Sequence, residues 1–434
     1  MAIVVEGGSP LRGTVRAAGA KNAALPILAA TLLADEACII GRVPDLDDVR
    51  TMVALLRHLG LSVRRQGEDT LHIQPDQYLR TDTPFELASR MRASFLVTGP
   101  LLARLGRVQA HLPGGCAIGT RPIDLHIKGL QALGASISFH GGVLTMTGGP
   151  LRGAQIHLDV PSVTATENIM MAAALARGRT VIGNAAREPE VVDLARFLQS
   201  MGARISGAGT GQMVIEGRPS LGGAAYRVMA DRIETATYLL AGALPGNHVT
   251  ILDAEPEHLS AVIAKLREAG VSIKTGSGRI EVRGWARPQG VDVRTLPHPG
   301  FPTDVQPPMT SLLAVAQGTS TITETIFENR FLHAPELNRM GASIRVEGGV
   351  AIIKGVPQLT GTRVRATDLR AGAALVLAAL AARGTTEIEG VHHIRRGYEH
   401  LVEKLRGLGA VVYEGEPGQR QDAAPTRGLR PPLF

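Results

Sequence analysis

A cysteine in a glycine-rich loop is the clearest chemical feature of the chain. Residues 112–122 read Leu-Pro-Gly-Gly-Cys-Ala-Ile-Gly-Thr-Arg-Pro, which places Cys116 five residues before Arg121. Glycine gives this backbone unusual freedom, and a thiol held in such a loop is more often exposed than buried. A nearby guanidinium favours the thiolate, the nucleophilic form of cysteine. The pattern predicts a reactive cysteine, although taken alone it fits a surface turn with an inert thiol equally well.

Composition limits the classes of partner. The 434 residues carry 46 basic and 39 acidic side chains, a formal net charge of +7. The basic residues are scattered and aromatic residues make up only 3%, which disfavours nucleic acid and favours an anionic small molecule. The two cysteines give no disulfide framework, and Cys38 is typical of a core strand. No signal peptide is apparent, and the longest apolar run, residues 371–382, has the length of a core helix. We therefore expect a cytoplasmic protein that does not bind membranes.

Internal repeats indicate how the chain is organised. A pair consisting of Leu, Met or Ala followed by glycine recurs about every seventy residues. Each pair follows an alanine-rich helix, a short β-branched strand and an amphipathic helix that ends at the glycine, and two more strands come after it. The six glycines are Gly60, Gly134, Gly202, Gly270, Gly341 and Gly409. Six βα units predict two similar three-unit domains, because their helices need a shared core to bury their apolar faces.

Polar clusters open the first helix of each unit. They are Lys21-Asn22, residues 90–94, residues 162–167, Asp231-Arg232, residues 304–306 and residues 368–370. Helix N-termini attract anions, so two domains that face each other would form a cationic cleft. Ordinary capping accounts for Ser162, Thr164 and Asp231. It does not account for Lys21, Arg92 and Arg370, because a cation at a helix N-terminus is unfavourable unless an anion binds there.

Six ordered motifs carry a family resemblance. They are Lys21-Asn-Ala-Ala-Leu-Pro26, residues 113–126 around Cys116, Phe301-Pro-Thr-Asp304, Ile326-Phe-Glu-Asn-Arg330, Asp368-Leu-Arg370 and Arg396-Gly-Tyr-Glu399. In this order, over residues 1–414, the chain resembles the UDP-N-acetylglucosamine 1-carboxyvinyltransferase family of enolpyruvyl transferases.

The resemblance implies a fold and its boundaries. The fold is a two-domain inside-out α/β barrel. Residues 21–229 would form the domain with the Cys116 loop, and residues 1–20 with 230–414 would form the domain with Asp304, Arg370 and Arg396. Residues 415–434, rich in Pro, Gly and Arg, are expected to be a disordered tail.

The resemblance also implies a reaction and residue roles. The enolpyruvyl group of phosphoenolpyruvate would move to the 3-hydroxyl of UDP-N-acetylglucosamine with release of phosphate, the first committed step of peptidoglycan synthesis. Cys116 matches the loop cysteine that donates a proton and can bond to phosphoenolpyruvate, and Asp304 matches the carboxylate that takes the hydroxyl proton. Lys21 and Arg396 match catalytic cations. The residues implied for phosphoenolpyruvate are Lys21, Asn22, Arg121, Arg370 and Arg396. Those implied for the sugar nucleotide are Asn22, Arg92, Arg121, Pro122, Ile123, Asp124, Leu125, Ser162, Val163, Thr164, Asp304, Ile326 and Arg330. A monomer that uses these two small molecules without a metal or an organic cofactor is implied.

Several alternatives stay open at this level. Asp304 could cap a helix, and Arg396 could pair with Glu399. Pro307-Pro308 could shift the helix start beside Asp304, and His392-His393 is more typical of a solvated turn than of a metal site. The closest rival function is 5-enolpyruvylshikimate-3-phosphate synthase, which shares fold and chemistry but lacks the cysteine loop; a catalytically silent sensor of a nucleotide sugar is the other.

Overall fold

Two separate apolar cores organise the chain. The computed structural model describes residues 1–76, 78–114, 118–119 and 122–416. One core collects buried side chains from residues 20–229, and the other collects them from residues 3–17 and 230–412. We propose that these cores are two domains, residues 21–229 and residues 1–20 with 230–414.

The described helices follow one another along the whole chain. In order they are α1 Lys21–Ala30, α2 Asp47–His58, α3 Phe85–Ala88, α4 Thr98–Leu105, α5 Asp124–Ala132, α6 Val163–Ala173, α7 Pro189–Ser200, α8 Arg232–Ala243, α9 Ser260–Glu268, α10 Gln306–Ala314, α11 Ala334–Arg339, α12 Leu369–Ala381, α13 Val391–Arg395 and α14 Leu401–Gly407. Short 3₁₀ turns cover Thr31–Leu33, Arg92–Val97, Pro256–Leu259 and Thr303–Val305.

Strands alternate with these helices. In order they are β1 Ala2–Glu6, β2 Arg12–Arg16, β3 Cys38–Gly41, β4 Leu61–Gln66, β5 Thr70–Pro75, β6 Arg107–His111, β7 Ser136–His140, β8 Val143–Thr147, β9 Gln155–His157, β10 Arg179–Gly183, β11 Arg204–Ser206, β12 Gln212–Glu216, β13 Ala225–Arg227, β14 His248–Leu252, β15 Ser272–Gly276, β16 Arg279–Arg283, β17 Val293–Arg294, β18 Thr319–Thr323, β19 Ser343–Glu347, β20 Val350–Lys354, β21 Leu359–Thr360, β22 Arg363–Arg365, β23 Ala382–Arg383, β24 Thr385–Glu389 and β25 Val411–Gly415.

The main sheets fall into two groups of three. The sheets β13-β3-β5-β4, β6-β8-β7 and β9-β10-β12-β11 belong to the core of residues 20–229. The sheets β2-β14-β16-β15, β17-β18-β20-β19 and β22-β24-β1-β25 belong to the other core. In five of these six sheets one pair of strands is parallel, and the remaining described pairs are antiparallel. The three-fold repetition within each group agrees with the predicted units.

Helices fill the interior of each core and sheets cover it. α12 shows the reason, because residues 370–380 are all buried and are mostly Ala, Leu and Val. A helix that is apolar all round must lie inside, and its small side chains let α8, α10 and α12 pack together. The covering strands, such as β14 and β18, alternate buried and more exposed residues, so one face of each sheet lies on the helices. The predicted inside-out α/β barrel is confirmed.

The chain crosses between the cores twice. β2 precedes α1 in sequence, yet it pairs in parallel with β14 in the other core, and β13 pairs in parallel with β3, the strand that follows α1. At the crossing Gly19 and Ala230 form an isolated antiparallel bridge. A Cβ at Gly19 would clash with the carbonyl oxygen of Arg42, so the crossing requires glycine.

Glycine ends the second helix of every unit, as predicted. The six glycines have positive φ values of 84° to 102°. Each follows the C-terminal cap residue of α2, α5, α7, α9, α11 or α14. A left-handed residue at this position lets the chain leave the helix and begin the next strand.

Other local predictions have mixed outcomes. Cys38 lies buried in β3, as expected for a core strand residue. The boundary of the tail is wrong, because Gly415 is the last residue of β25 and pairs with Ala2. The prediction of a turn at His392-His393 is also wrong, since both residues belong to α13. Residues 417–434, the rest of the expected tail, lie outside the described residues.

Candidate active site

Asp48 binds two cations at the junction between the cores. Its Oδ2 lies 3.1 Å from Lys21 Nζ, and its Oδ1 lies 2.8 Å from Arg396 Nε. Lys21 opens α1, Asp48 lies in the first turn of α2, and Arg396 follows α13 on the other core. Burial opposes ionisation of Asp48, but Lys21 and Arg396 outweigh it and hold the pKa of the carboxyl below its ordinary value. Asp48 therefore stays charged and holds a lysine and an arginine from different cores.

Asp304 binds two more cations. Its Oδ1 accepts a hydrogen bond from Arg330 Nη2 at 2.6 Å, and its Oδ2 accepts one from Arg370 Nη2 at 2.9 Å. The two arginine side chains are only 3% and 5% exposed, whereas that of Asp304 is 26% exposed. Burial opposes ionisation here too, yet Arg370 and Arg330 hold the pKa of the Asp304 carboxyl well below its ordinary value. The carboxylate is thus ionised and keeps an exposed edge.

Asp231 joins the start of α1 to the start of α8. Its carboxylate caps α8 by accepting from the N–H groups of Ile233 and Glu234 at 2.8 and 3.0 Å, and the N–H of Lys21 lies 3.4 Å from it. The charge of Lys21 also contributes to the low pKa of Asp304. Of the predicted meetings of helix N-termini, the starts of α1 and α8 meet at Asp231, and the starts of α10 and α12 meet through Asp304 and Arg370.

The anion beside two of the predicted cations is part of the protein. We expected Lys21 and Arg370 to need a bound anion, and Asp48 and Asp304 fill that position in this structure. Asp368 caps α12 by accepting hydrogen bonds from the N–H groups of Arg370 and Ala371. The negative charge of Asp368 therefore offsets the positive charge of Arg370 at the start of this helix. Arg370 Nη1 is buried and has no hydrogen-bond acceptor among the described residues. A ligand carboxylate could supply one.

A cleft of about 460 Å³ opens beside Asp48 and Arg396. Residues from both cores line it, including Arg50, Arg90 and His392. Asp48 and Arg50 could not be recognised from their positions in the sequence, because acidic and basic residues along a helix such as α2 are typical of ordinary capping and surface pairs. Arg90 belongs to the polar cluster of residues 90–94, and that cluster was the feature of the sequence that indicated a functional position.

The cysteine loop approaches this junction. Cys116 and Arg121 lie outside the described residues. The neighbouring Ile118 is buried, and its carbonyl oxygen accepts a hydrogen bond of 3.0 Å from the N–H of Asn329. A Cβ at Gly119 would come within 2.5 Å of Glu328 Oε2, so Ile118 and Gly119 are in close contact with this segment of the other core. Asn329 directly precedes Arg330, one of the two arginines on Asp304.

Most of the described residues predicted for the sugar nucleotide form a second group at the starts of α5 and α6. Arg92 Nη2 donates to the carbonyl oxygen of Pro122 at 3.1 Å. Ile123, Asp124 and Leu125 follow at the start of α5, and Ser162, Val163 and Thr164 lie at the start of α6, which packs on α5. Ile326 lies on the other core and is 36% exposed, and Asn22 is exposed at the start of α1.

Capping explains only part of this group. The Ser162 hydroxyl accepts from the N–H of Ala165 and caps α6, as expected. The same explanation is wrong for Thr164, whose hydroxyl lies 3.1 Å from His126 Nε2. His126 in turn contacts Asn168, which also binds Thr98 and the N–H of Gly99. This buried network fixes α4, α5 and α6 relative to one another.

The alternatives for Asp304 and Arg396 are wrong. Asp304 lies in the 3₁₀ turn before α10 and binds two arginines instead of capping the helix. Glu399 accepts from the N–H of Asp45 at 2.6 Å, while Arg396 binds Asp48. Pro307 and Pro308 occupy the first turn of α10, where the missing N–H groups remove no hydrogen bond, so they are compatible with this helix start.

Comparison with known proteins decides the family. The UDP-N-acetylglucosamine 1-carboxyvinyltransferase of Anaeromyxobacter dehalogenans is 55% identical over 414 residues, which cover 94% of this chain and 98% of that protein. The chain belongs to the UDP-N-acetylglucosamine 1-carboxyvinyltransferase family. Consistent with this, the sequence model of the wider family described as EPSP synthase (3-phosphoshikimate 1-carboxyvinyltransferase) matches residues 5–405.

Solved structures share the fold of this carboxyvinyltransferase family member. The enolpyruvyl transferase NikO from Streptomyces tendae is 28% identical and superposes with a TM-score of 0.85, over 95% of this chain and 98% of that one. EPSP synthase from Acinetobacter baumannii is 19% identical, with a TM-score of 0.73 over 95% and 100% of the two chains. In the described part of the chain, no helix has the length and apolarity to span a membrane, and no group of three or more His, Cys, Asp or Glu side chains forms a metal site.

Proposed function

We propose that the protein transfers the 1-carboxyvinyl group of phosphoenolpyruvate to the 3-hydroxyl of UDP-N-acetylglucosamine and releases inorganic phosphate. This reaction is the first committed step of peptidoglycan synthesis. The observation that carries the proposal is the convergence of Lys21, Arg330, Arg370 and Arg396 at the junction of the cores, in a chain of this family. Phosphoenolpyruvate carries a phosphate and a carboxylate, and such a set of cations can balance both.

The cations bind phosphoenolpyruvate by exchanging partners. Lys21, Arg121 and Arg396 bind its phosphate, Arg370 and Arg396 bind its carboxylate, and Asn22 lies beside it. In the structure Asp48 and Asp304 hold three of these cations, so they are ordered before any substrate arrives. Pre-ordered charge stabilises the transition state without further reorganisation, and this is often the largest contribution to catalysis.

Asp304 accepts the proton of the sugar hydroxyl. Its low pKa makes it a weak base while both arginines bind it. When the substrate carboxylate takes Arg370, one of these charges turns away and the basicity of Asp304 rises. Binding of phosphoenolpyruvate thus makes Asp304 a stronger base for the proton transfer that follows.

Two proton transfers complete the chemistry. Cys116 donates a proton to the methylene carbon as the hydroxyl oxygen attacks the adjacent carbon, and a tetrahedral adduct forms. Loss of phosphate and of a proton from the new methyl group then restores the double bond. Cys116 lies outside the described residues, but its loop neighbour Ile118 binds Asn329, next to Arg330.

The residues that contact the sugar nucleotide come from the second group and from the Asp304 cluster. These are Asn22, Arg92, Arg121, Pro122, Ile123, Asp124, Leu125, Ser162, Val163, Thr164, Asp304, Ile326 and Arg330. The starts of α5 and α6 offer free N–H groups to its diphosphate. The reaction requires no metal or organic cofactor. We expect a cytoplasmic protein, because both substrates are charged metabolites that do not cross membranes unaided, and the family resemblance implies a monomer.

Phosphate release tests the function. Phosphoenolpyruvate is supplied with either UDP-N-acetylglucosamine or shikimate 3-phosphate, and released phosphate is measured. We expect release with the sugar nucleotide alone, and its loss in Lys21→Ala but not in Lys128→Ala, a surface lysine paired with Asp159. Phosphate release only with shikimate 3-phosphate would show that the protein is a 5-enolpyruvylshikimate-3-phosphate synthase. No phosphate release with either acceptor, from folded protein, would favour a sensor of a nucleotide sugar.

The role of Cys116 has its own test. Covalent attack needs the thiolate, whereas proton donation needs the thiol, and a carboxylic acid can replace only the second role. We expect Cys116→Asp to retain turnover and to lose alkylation by the epoxide antibiotic fosfomycin, measured by phosphate release and intact-protein mass. A folded but inactive variant would contradict a purely acidic role.

A further inference from the structure

A second cleft lies beside the segments where the chain crosses between the cores. Its volume is about 450 Å³, and it shares no lining residue with the cleft at Asp48. Arg187, Arg196 and Arg227 line it from one core, and His258 and His298 line it from the other. A molecule bound there would contact both cores at a place the proposed reaction does not use.

The lining carries unbalanced positive charge. Arg187, Arg196 and Arg227 are exposed, and in the described part of the chain none of them forms an ion pair or a hydrogen bond with a side chain. A fourth arginine, Arg42, donates to the carbonyl oxygens of Ala17 and Asp253 at 3.1 and 3.3 Å. Three guanidinium groups are therefore available to a ligand.

The acidic residues of the cleft balance these arginines only in part. The charge of Arg196 lowers the pKa of Asp193, but no carboxylate of the described residues forms a direct ion pair with Arg187, Arg196 or Arg227. Asp193 already accepts hydrogen bonds from the Tyr226 hydroxyl at 2.7 Å and from the N–H of Met229 at 3.1 Å. Glu255 belongs to the other core, where its Oε2 lies 3.4 Å from Nδ1 of His258. Like charges gathered in a concave site repel one another unless an anion lies between them.

We propose that this cleft, defined by Arg187, Arg196 and Arg227, binds a compact multivalent oxyanion, such as an oligophosphate or a polycarboxylate. The planar fork of arginine suits such ligands, because it binds two oxygens of a phosphate or carboxylate at once. The volume admits a group larger than a single phosphate, and His258 and His298 can donate to it from the second core.

The cleft is connected to the catalytic junction through residues 187–190. Glu188 follows Arg187 and accepts a hydrogen bond of 3.2 Å from the N–H of His298. Glu190 binds Arg232 Nε at 2.9 and 3.2 Å, and Arg232 follows Asp231 at the start of α8. An anion in the cleft would hold both sides of this inter-core contact and stabilise it.

Titration with inorganic pyrophosphate tests the proposal. Binding to the full-length protein is measured by isothermal titration calorimetry and by the shift in melting temperature, with citrate as a second probe that separates phosphate from carboxylate ligands. The cleft variant is Arg196→Ala/Arg227→Ala. Its matched control is Arg177→Ala/Arg179→Ala, which removes two exposed arginines of the same core outside both clefts.

We expect the native protein and the control to bind pyrophosphate equally and to melt at a higher temperature with it. The cleft variant should bind about tenfold or more weakly, because each charge-assisted hydrogen bond contributes roughly one decade of affinity. Its phosphate release without pyrophosphate should be unchanged, which separates this proposal from the proposed function. Equal weakening in both double variants, unchanged binding in both, or no binding to the native protein would overturn the proposal.

Discussion

The cations proposed for catalysis are held in place by carboxylates of the protein itself. Lys21 and Arg396 share Asp48, and Arg330 and Arg370 share Asp304. Each carboxylate keeps its cations ordered. In the proposed mechanism each gives up at least one cation to the substrate, so that no unpaired cations gather in the site before the substrate binds.

Asp304→Asn tests the role of the base. Asparagine keeps the shape and can accept from one arginine, but it cannot take a proton. We expect the rate of phosphate release at saturating substrate to fall by about 10²- to 10⁴-fold. The KM for phosphoenolpyruvate should not rise, because Arg370 is freed from its carboxylate partner. Asp159→Asn, at a largely exposed ion pair, serves as the control and should keep full activity. A loss of less than about tenfold in Asp304→Asn would assign the base elsewhere.

Asp193 gives a pH-dependent stability. Burial raises the pKa of this carboxyl to about 6, despite the hydrogen bonds from Tyr226 and Met229. The folded protein therefore takes up a proton at higher pH than the unfolded chain does, and stability rises as the pH falls through that range. Relative to Asp193→Asn, the native protein should gain about 1 kcal/mol between about pH 8 and about pH 5. Urea unfolding at several pH values measures the difference, and parallel curves for the two proteins would contradict the assignment.

At the scale of elements, the repeated unit depends on how its second helix ends. All six of these helices stop at a glycine with positive φ, and the chain then turns into a strand. Buried first helices made of Ala, Leu and Val supply the interior that the sheets cover. Six units that share this buried first helix and this glycine-terminated second helix form two similar cores of three units each.

Gly270→Ala tests this helix ending. Gly270 has a φ of 84° and open space around the position of a Cβ, so any cost comes from backbone strain and not from a clash. We expect the free energy of unfolding to fall by about 1–2 kcal/mol. Gly276→Ala lies in the strand that follows, also with open space and without a positive φ, and should leave stability nearly unchanged. Equal effects in the two variants would show that the left-handed conformation is not the cause.

At the scale of the whole molecule, a few polar contacts join the two cores around the site. They include Arg396 with Asp48, the N–H of Asn329 with Ile118, and the N–H of Asp45 with Glu399. Glu190 and Arg232 form the most buried inter-core ion pair of the described residues, at 4% and 9% side-chain exposure. Such a pair adds little net stability but strongly disfavours arrangements that leave one charge alone.

Glu190→Gln tests this coupling. It leaves Arg232 buried without its carboxylate, and we expect the free energy of unfolding to fall by about 3–5 kcal/mol. The double variant Glu190→Gln/Arg232→Met should regain much of the loss, because no charge is then left unpaired. Calorimetric unfolding of native, single and double variants measures both effects. A double variant as unstable as the sum of the two single variants would contradict the pairing.

The sequence predicted what depends on neighbouring residues. Helix periodicity, glycine at helix ends and β-branched strands act over a few residues, so the units and Cys38 in a core strand could be recognised from the chain alone. The functional assignments of Lys21, Asp304 and Arg370 followed from the family resemblance of their motifs. The roles of Cys116 and Arg121 remain predictions, because these residues lie outside the described structure.

Only the tertiary structure decided which charges meet. Arg396 binds Asp48, 348 residues away, instead of the nearby Glu399, and Asp304 binds Arg330 and Arg370 instead of capping α10. Thr164 likewise contacts His126 and does not act as a cap. Spacing along the chain carries no information on such partners, because the fold brings distant segments of the two cores together. A charged side chain at the junction then pairs with a distant residue instead of a neighbour in the sequence.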